Sequence, residues 1–133
     1  MDADGLTTVE SASPVAETAD RLAAAVESAG LRVFARVDHA AGAREAGLDL
    51  RPTQLLLFGN PRGGTPLMQD RQTAGIDLPL HALVWEDEAG RVWLGYDDPA
   101  WISRRHGLGD ASAASVAAMR DGLAKLAAAA TSA

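Results

Sequence analysis

Cysteine is absent from this chain, which excludes disulfides, thiolate metal sites and a cysteine nucleophile. Long apolar runs are absent too. Nothing approaches the roughly 20 consecutive apolar residues that a membrane-spanning helix needs. The opening Met1-Asp2-Ala3-Asp4 lacks the basic and apolar segments of a secretory signal, so the expected location is the cytoplasm. Basic charge is scarce. Lys and Arg number 12 against 18 Asp and Glu, for a net charge of −6, and the arginines are scattered. Affinity for nucleic acid rests on neutralising phosphates with a basic patch, so no nucleic-acid or membrane partner is expected. Arg104-Arg105 is the one basic pair; its expected place is a helix C-terminus, where cations offset the macrodipole.

What is present describes an ordinary globular chain, 47% hydrophobic and 23% charged. Its 133 residues suffice for a single domain over 1–133 that buries about two-thirds of the unfolded surface. Gly5 to Glu10 is rich in β-formers and reads as a strand. Ser13-Pro14 reads as a helix cap followed by Pro at the first helical position. Val15, Ala19, Leu22, Ala23 and Val26 then recur at helical spacing, with Gly30 as the stop. Leu31 to Asp38 alternates, placing Leu31, Val33, Ala35 and Val37 on one face of a strand. Asp38 caps a short helix from His39 to Ala46. Thr53 to Phe58 is continuously apolar and reads as a central strand covered on both faces.

Leu80 to Asp87 and Arg91 to Tyr96 form a hairpin around Glu88-Ala89-Gly90, a three-residue loop whose last position needs positive φ. That register sets Trp85 opposite Trp93. Asp98-Pro99 starts a short helix stopped by Gly107, and an Ala-rich helix follows from about Ser112 to Ala130. The predicted fold class is α+β: a β-α-β-β-β-β-α core with extra short helices, one mostly antiparallel sheet, and helices mainly on one face. Such a layout leaves Leu83, Trp85 and Trp93 on a second face that something must cover, whether a subunit, a ligand or a folded-over loop.

The segment Gly59-Asn60-Pro61-Arg62-Gly63-Gly64-Thr65 follows a strand and precedes a helix expected over Pro66 to Gln72, capped by Thr65. Its glycine spacing matches the Walker A pattern, yet Thr65 stands where that pattern has lysine and Pro66 where it has the magnesium-binding hydroxyl. Nucleoside triphosphate hydrolysis is therefore excluded. Two readings remain. In one, Gly63 and Gly64 take positive φ in a sharp turn and Asn60 caps locally. In the other, loop N–H groups form a nest for a phosphate or carboxylate and Arg62 adds a charge-assisted contact.

His39, His81 and His106 make no metal-ligand spacing, so neither a metal nor another cofactor is expected. His81 lies in a strand; His39 and His106 lie at helix ends, where a structural hydrogen bond is the common outcome and a general-base role the rival one. Asp77 sits among apolar neighbours and needs a partner if buried, with the nearby loop N–H groups as candidates.

Taken together, Asp38-His39, Leu50-Arg51-Pro52-Thr53, Phe58-Gly59-Asn60-Pro61, Gly64-Thr65, Leu67-Met68, Asp77-Leu78-Pro79-Leu80, Asp98-Pro99 and His106-Gly107 resemble domain-of-unknown-function family 302, small bacterial proteins, over about residues 5–130. Asp97 stands where the family commonly has Asn. The resemblance implies an α+β fold of the TATA-box-binding-protein-like class with a curved antiparallel sheet, and a homodimer. It implies no reaction. It draws His39, Asn60, Gly64, Thr65 and Asp77 together as a candidate shared site. The leading expectation is a cytoplasmic homodimer binding a small anionic or polar ligand through His39, Asn60, Arg62, Gly63, Gly64, Thr65 and Asp77. Two rivals stand beside it: an enzyme using His39 as acid or base at that place, and an interaction module acting through the sheet face.

Overall fold

The structure is a computed structural model that describes residues 4–133; Met1, Asp2 and Ala3, which open the acidic N-terminal stretch, lie outside the described residues. Five strands form one sheet: β1 (Leu6–Ser11), β2 (Arg32–Asp38), β3 (Thr53–Gly59), β4 (Leu80–Glu86) and β5 (Val92–Asp97). Their order is β1-β5-β4-β3-β2 and every neighbouring pair is antiparallel. The fold is α+β, as the pattern of elements predicts.

Two long helices cover one face of the sheet. α1 (Val15–Ser28) buries Val15, Ala19, Leu22 and Val26, the helical stripe seen in the sequence. α5 (Ala113–Thr131) buries Val116, Leu123, Leu126, Ala127 and Ala130. The sheet offers them Leu56, Phe58, Ala82, Val84, Val92 and Leu94, each at most 8% exposed. Burying a side chain of this size contributes about 1.5–3 kcal/mol, so this layer dominates the stability of the fold. The hairpin pairs Trp85 with Trp93. Gly90, at φ +81°, takes the positive-φ position expected of the loop.

Four local expectations need correction. β3 is not covered on both faces: it lies next to the edge strand β2, and Leu55 and Leu57 on its outer side are only half-buried. The alternation in β2 breaks at an irregularity between Val33 and Ala35, so Val33 pairs with the core residue Phe58 while Ala35 and Val37 pair with Leu57 and Leu55. A bulge shifts the period of two by one residue, which a strict alternation reading cannot register. α1 starts at Val15 with Pro14 as its cap residue and no side-chain cap; Ser13 instead accepts from the Thr18 hydroxyl through its carbonyl, at 3.2 Å.

The fourth correction concerns the glycine loop. The residues Pro61 to Asp70 form a helix, α3, whose N-cap is Asn60 rather than Thr65. Gly63 and Gly64 are helical, and positive φ occurs at Gly59 (+149°) instead. The sequence signal was legible in another form: Asn60-Pro61 repeats the cap-then-proline pattern of Asp98-Pro99, which opens α4 (Pro99–His106). α2 (His39–Glu45) begins under the Asp38 cap as expected, its carboxylate accepting from the Ala41 N–H at 2.9 Å. Short 3-10 turns over Gln72–Asp77 and Asp110–Ser112 complete the chain.

Candidate functional site

At one end of the sheet Arg32 pairs with Gly59, and Phe58 with Leu80. α3 and the 3-10 turn after it stand off from α5 there and leave a cleft of about 660 Å³, within the usual range of small-molecule sites. Apolar side chains dominate its walls: Leu31, Phe34, Met68, Leu78, Leu80 and Met119. On α5 the cleft is lined by Ser115, Ala118, Gly122 and Leu126, spaced three and four apart so that they share one helix face. Small residues on that stripe keep the space open. A Cβ placed on Gly122 would meet nothing within 4 Å. The Leu78–Pro79 peptide bond bordering the cleft is cis.

Five of the residues expected at a site line this cleft together: Asn60, Arg62, Gly63, Gly64 and Thr65. Arg62 and Thr65 are exposed, so they stand where the cleft meets water. A Cβ on Gly63 would lie 3.7 Å from Met119 Cε and one on Gly64 3.5 Å from Leu78 Cδ1, both ordinary contacts. The backbone here is not an open nest. Asn60 Oδ1 accepts from the Gly63 N–H at 3.1 Å, the Asn60 carbonyl accepts from Gly63 and Gly64, and Pro61 has no N–H to offer. Among the residues lining the cleft, positive charge comes from the Arg62 side chain.

His39 and Asp77 stand apart from the cleft lining. His39 is the exposed first residue of α2, so a general-base role on a cleft ligand loses its geometric support. Asp77 is buried, the condition under which a partner is needed, and its partners are side chains rather than loop N–H groups. Arg105 Nη1 lies 2.8 and 3.0 Å from its two carboxylate oxygens, and His106 Nε2 lies 2.6 Å from Oδ2. His106 Nδ1 in turn meets Thr73 Oγ1 at 3.0 Å. No residue spacing announces this cluster, because it joins the 3-10 turn to the end of α4 across some thirty residues of chain. His81, on the outer sheet face, lies 3.4 Å from Asp97.

Fold and cleft together define a small α+β domain with an open antiparallel sheet and an apolar recess at one end of it. The chain belongs to the family described as "Domain of unknown function DUF302", which it matches over residues 7–129. Its fold is shared with the crystal structure of an uncharacterized conserved protein DUF302 from Bacillus stearothermophilus, at TM-score 0.82 and 22% identity, covering 94% of this chain and 97% of that one. It is 58% identical over 118 residues to proteins named fluoride-specific ion channel FluC 1 from Brucella suis biovar 1 (strain 1330) and Brucella abortus biovar 1 (strain 9-941). Those matches cover 89% of this chain but 46% and 44% of the relatives, so the chain spans about half their length. Among the described residues no helix is long and apolar enough to cross a membrane.

Proposed function

We propose that this chain is a ligand-binding domain whose ligand lays an apolar body in the cleft and sets a polar or anionic head against Arg62, Asn60 and Thr65. One observation carries the reading: a recess of about 660 Å³ with apolar walls ends on an exposed cationic side chain. A bare inorganic anion fits less well, since the Gly63 and Gly64 N–H groups of α3 are already bonded to Asn60. The channel name belongs to the whole of the longer relatives. For the region they share with this chain we propose ligand binding rather than ion passage. The domain is further proposed to act in the cytoplasm as a homodimer, because Leu83, Trp85 and Trp93 on the outer sheet face are only half-buried.

The test is a thermal-shift series with decanoate, decanol and sulfate. Decanoate at 100 times its Kd should add about 2.7 kcal/mol of stability, a rise of several degrees in Tm for a chain of this size, while sulfate should add little. Gly122→Leu places a side chain into the cleft and should abolish the shift. Arg62→Ala should weaken decanoate several-fold and leave decanol unchanged. No decanoate shift, or one that survives Gly122→Leu, would overturn the proposal.

A further inference from the structure

Away from the cleft, the Thr73, His106 and Asp77 cluster has the connectivity of a nucleophile, a base and an orienting carboxylate. The distances are 3.0 Å from Thr73 Oγ1 to His106 Nδ1 and 2.6 Å from His106 Nε2 to Asp77 Oδ2, both within the reach such a relay requires. Asp77 and His106 side chains are 9% and 7% exposed, whereas Thr73 is open to solvent. The carboxylate is an acceptor, so the Nε2 atom facing it carries the proton. In the neutral ring Nδ1 is then the acceptor, and the hydroxyl hydrogen of Thr73 points at it. Arg105, half-exposed, engages the same carboxylate through Nη1 and brings positive charge to the cluster. A purely structural clamp between α4 and the 3-10 turn is complete with Asp77, Arg105 and His106. It does not call for an exposed hydroxyl on the free ring nitrogen.

We infer that Thr73 is the nucleophile of an acyl-transfer site, with His106 as its general base and Asp77 as the positioning residue. The substrate class is a small activated ester or thioester. Thr73 Oγ1 attacks the acyl carbonyl as its proton passes to His106 Nδ1, and the carbonyl π pair moves to oxygen. Collapse of that adduct breaks the bond to the leaving group, which departs with the electron pair and takes the proton that His106 Nδ1 had accepted, or leaves it to solvent, so that the ring nitrogen is again free. Water, deprotonated by the same ring nitrogen, then cleaves the acyl-threonine ester to give the free acid and restore Thr73. The inference stands independently of the cleft ligand.

The test uses p-nitrophenyl acetate with the full chain, following nitrophenolate release and locating acetyl groups by peptide mass spectrometry. One acetyl on Thr73 is expected. Thr73→Val should remove it and Thr73→Ser should retain it. His106→Gln should slow it by about 100-fold or more. Should His106→Gln fail to fold, the Val and Ser variants of the exposed Thr73 still decide the question. Acetylation confined to other residues, or a Thr73 rate unchanged in folded His106→Gln, would overturn the inference.

Discussion

Asp98 binds two elements with one carboxylate. Its Oδ1 accepts from the Ala100 N–H, capping α4, and from Arg120 Nε of α5, both at 2.8 Å; Oδ2 accepts from Arg120 Nη2 at 3.2 Å. Partial burial on its own would raise the pKa of this group, but the Ala100 N–H and the Arg120 guanidinium outweigh it and hold the pKa below the ordinary value. A folded-state pKa below the unfolded one means that the stabilisation is present above about pH 4 and is lost as the pH falls through the folded value. Asp98→Asn keeps a capping oxygen and removes the charge. It should cost about 0.5–1 kcal/mol at pH 7, and urea melts should show that difference shrinking as the pH falls below about 4. A difference constant from pH 7 to pH 3 would refute the assignment. Asp70 shifts the same way through the Gly109 N–H and Ser112, and Asp87 through Trp93 and the Arg91 N–H, so the whole fold should lose stability in acid.

Among the elements, α3 separates what sequence could show from what it could not. Its cap and first residue were legible as Asn60-Pro61, yet two glycines and a second proline within ten residues carry the local preferences of a loop. Tertiary packing overrides them: Leu67 is fully buried among Ala74 and Val116, and the helix is held by that anchor rather than by propensity. A concrete consequence follows for Gly64. It is helical, and an added Cβ would make an ordinary 3.5 Å contact with Leu78. Gly64→Ala should therefore stabilise the protein by about 0.5–1 kcal/mol, where a turn glycine would be destabilised by the same change. A lower urea midpoint in the variant would contradict the helical assignment. Strands, long helices and hairpin register were legible because each is a local period. The cleft was not, because its walls come from segments as distant as Leu31 and Leu126, and the Thr73, His106 and Asp77 cluster was not for the same reason.

For the molecule as a whole, the proposed dimer rests on the outer face of the sheet. β4 is the middle strand, and Leu55, Leu57, Leu83, Trp85 and Trp93 lie half-buried on its side away from the helices. Val37 on the edge strand, the register partner of Leu55, is 40% exposed. A contiguous apolar face of this kind is what a symmetric dimer covers. Sedimentation of the wild type should therefore give a dimer at micromolar concentration. Leu83→Glu, at the centre of the face, should raise the dimer Kd by about 30-fold or more without changing the fold measured by circular dichroism. A wild type that sediments at 13.8 kDa would rule the dimer out.

The placement of the tryptophans gives these surfaces separate optical reporters. Trp85 and Trp93 lie on the outer sheet face, Trp101 lies on α4 with Arg105 over its ring at 5.6 Å, and none of the three lines the cleft. Ultraviolet emission from the native chain thus observes the sheet and α4 while remaining blind to the recess. Dilution through the dimer Kd should move the emission of Trp85 and Trp93 to longer wavelength as water reaches the indoles. Filling the cleft should leave the spectrum where it was, so a single cuvette distinguishes assembly from ligand uptake.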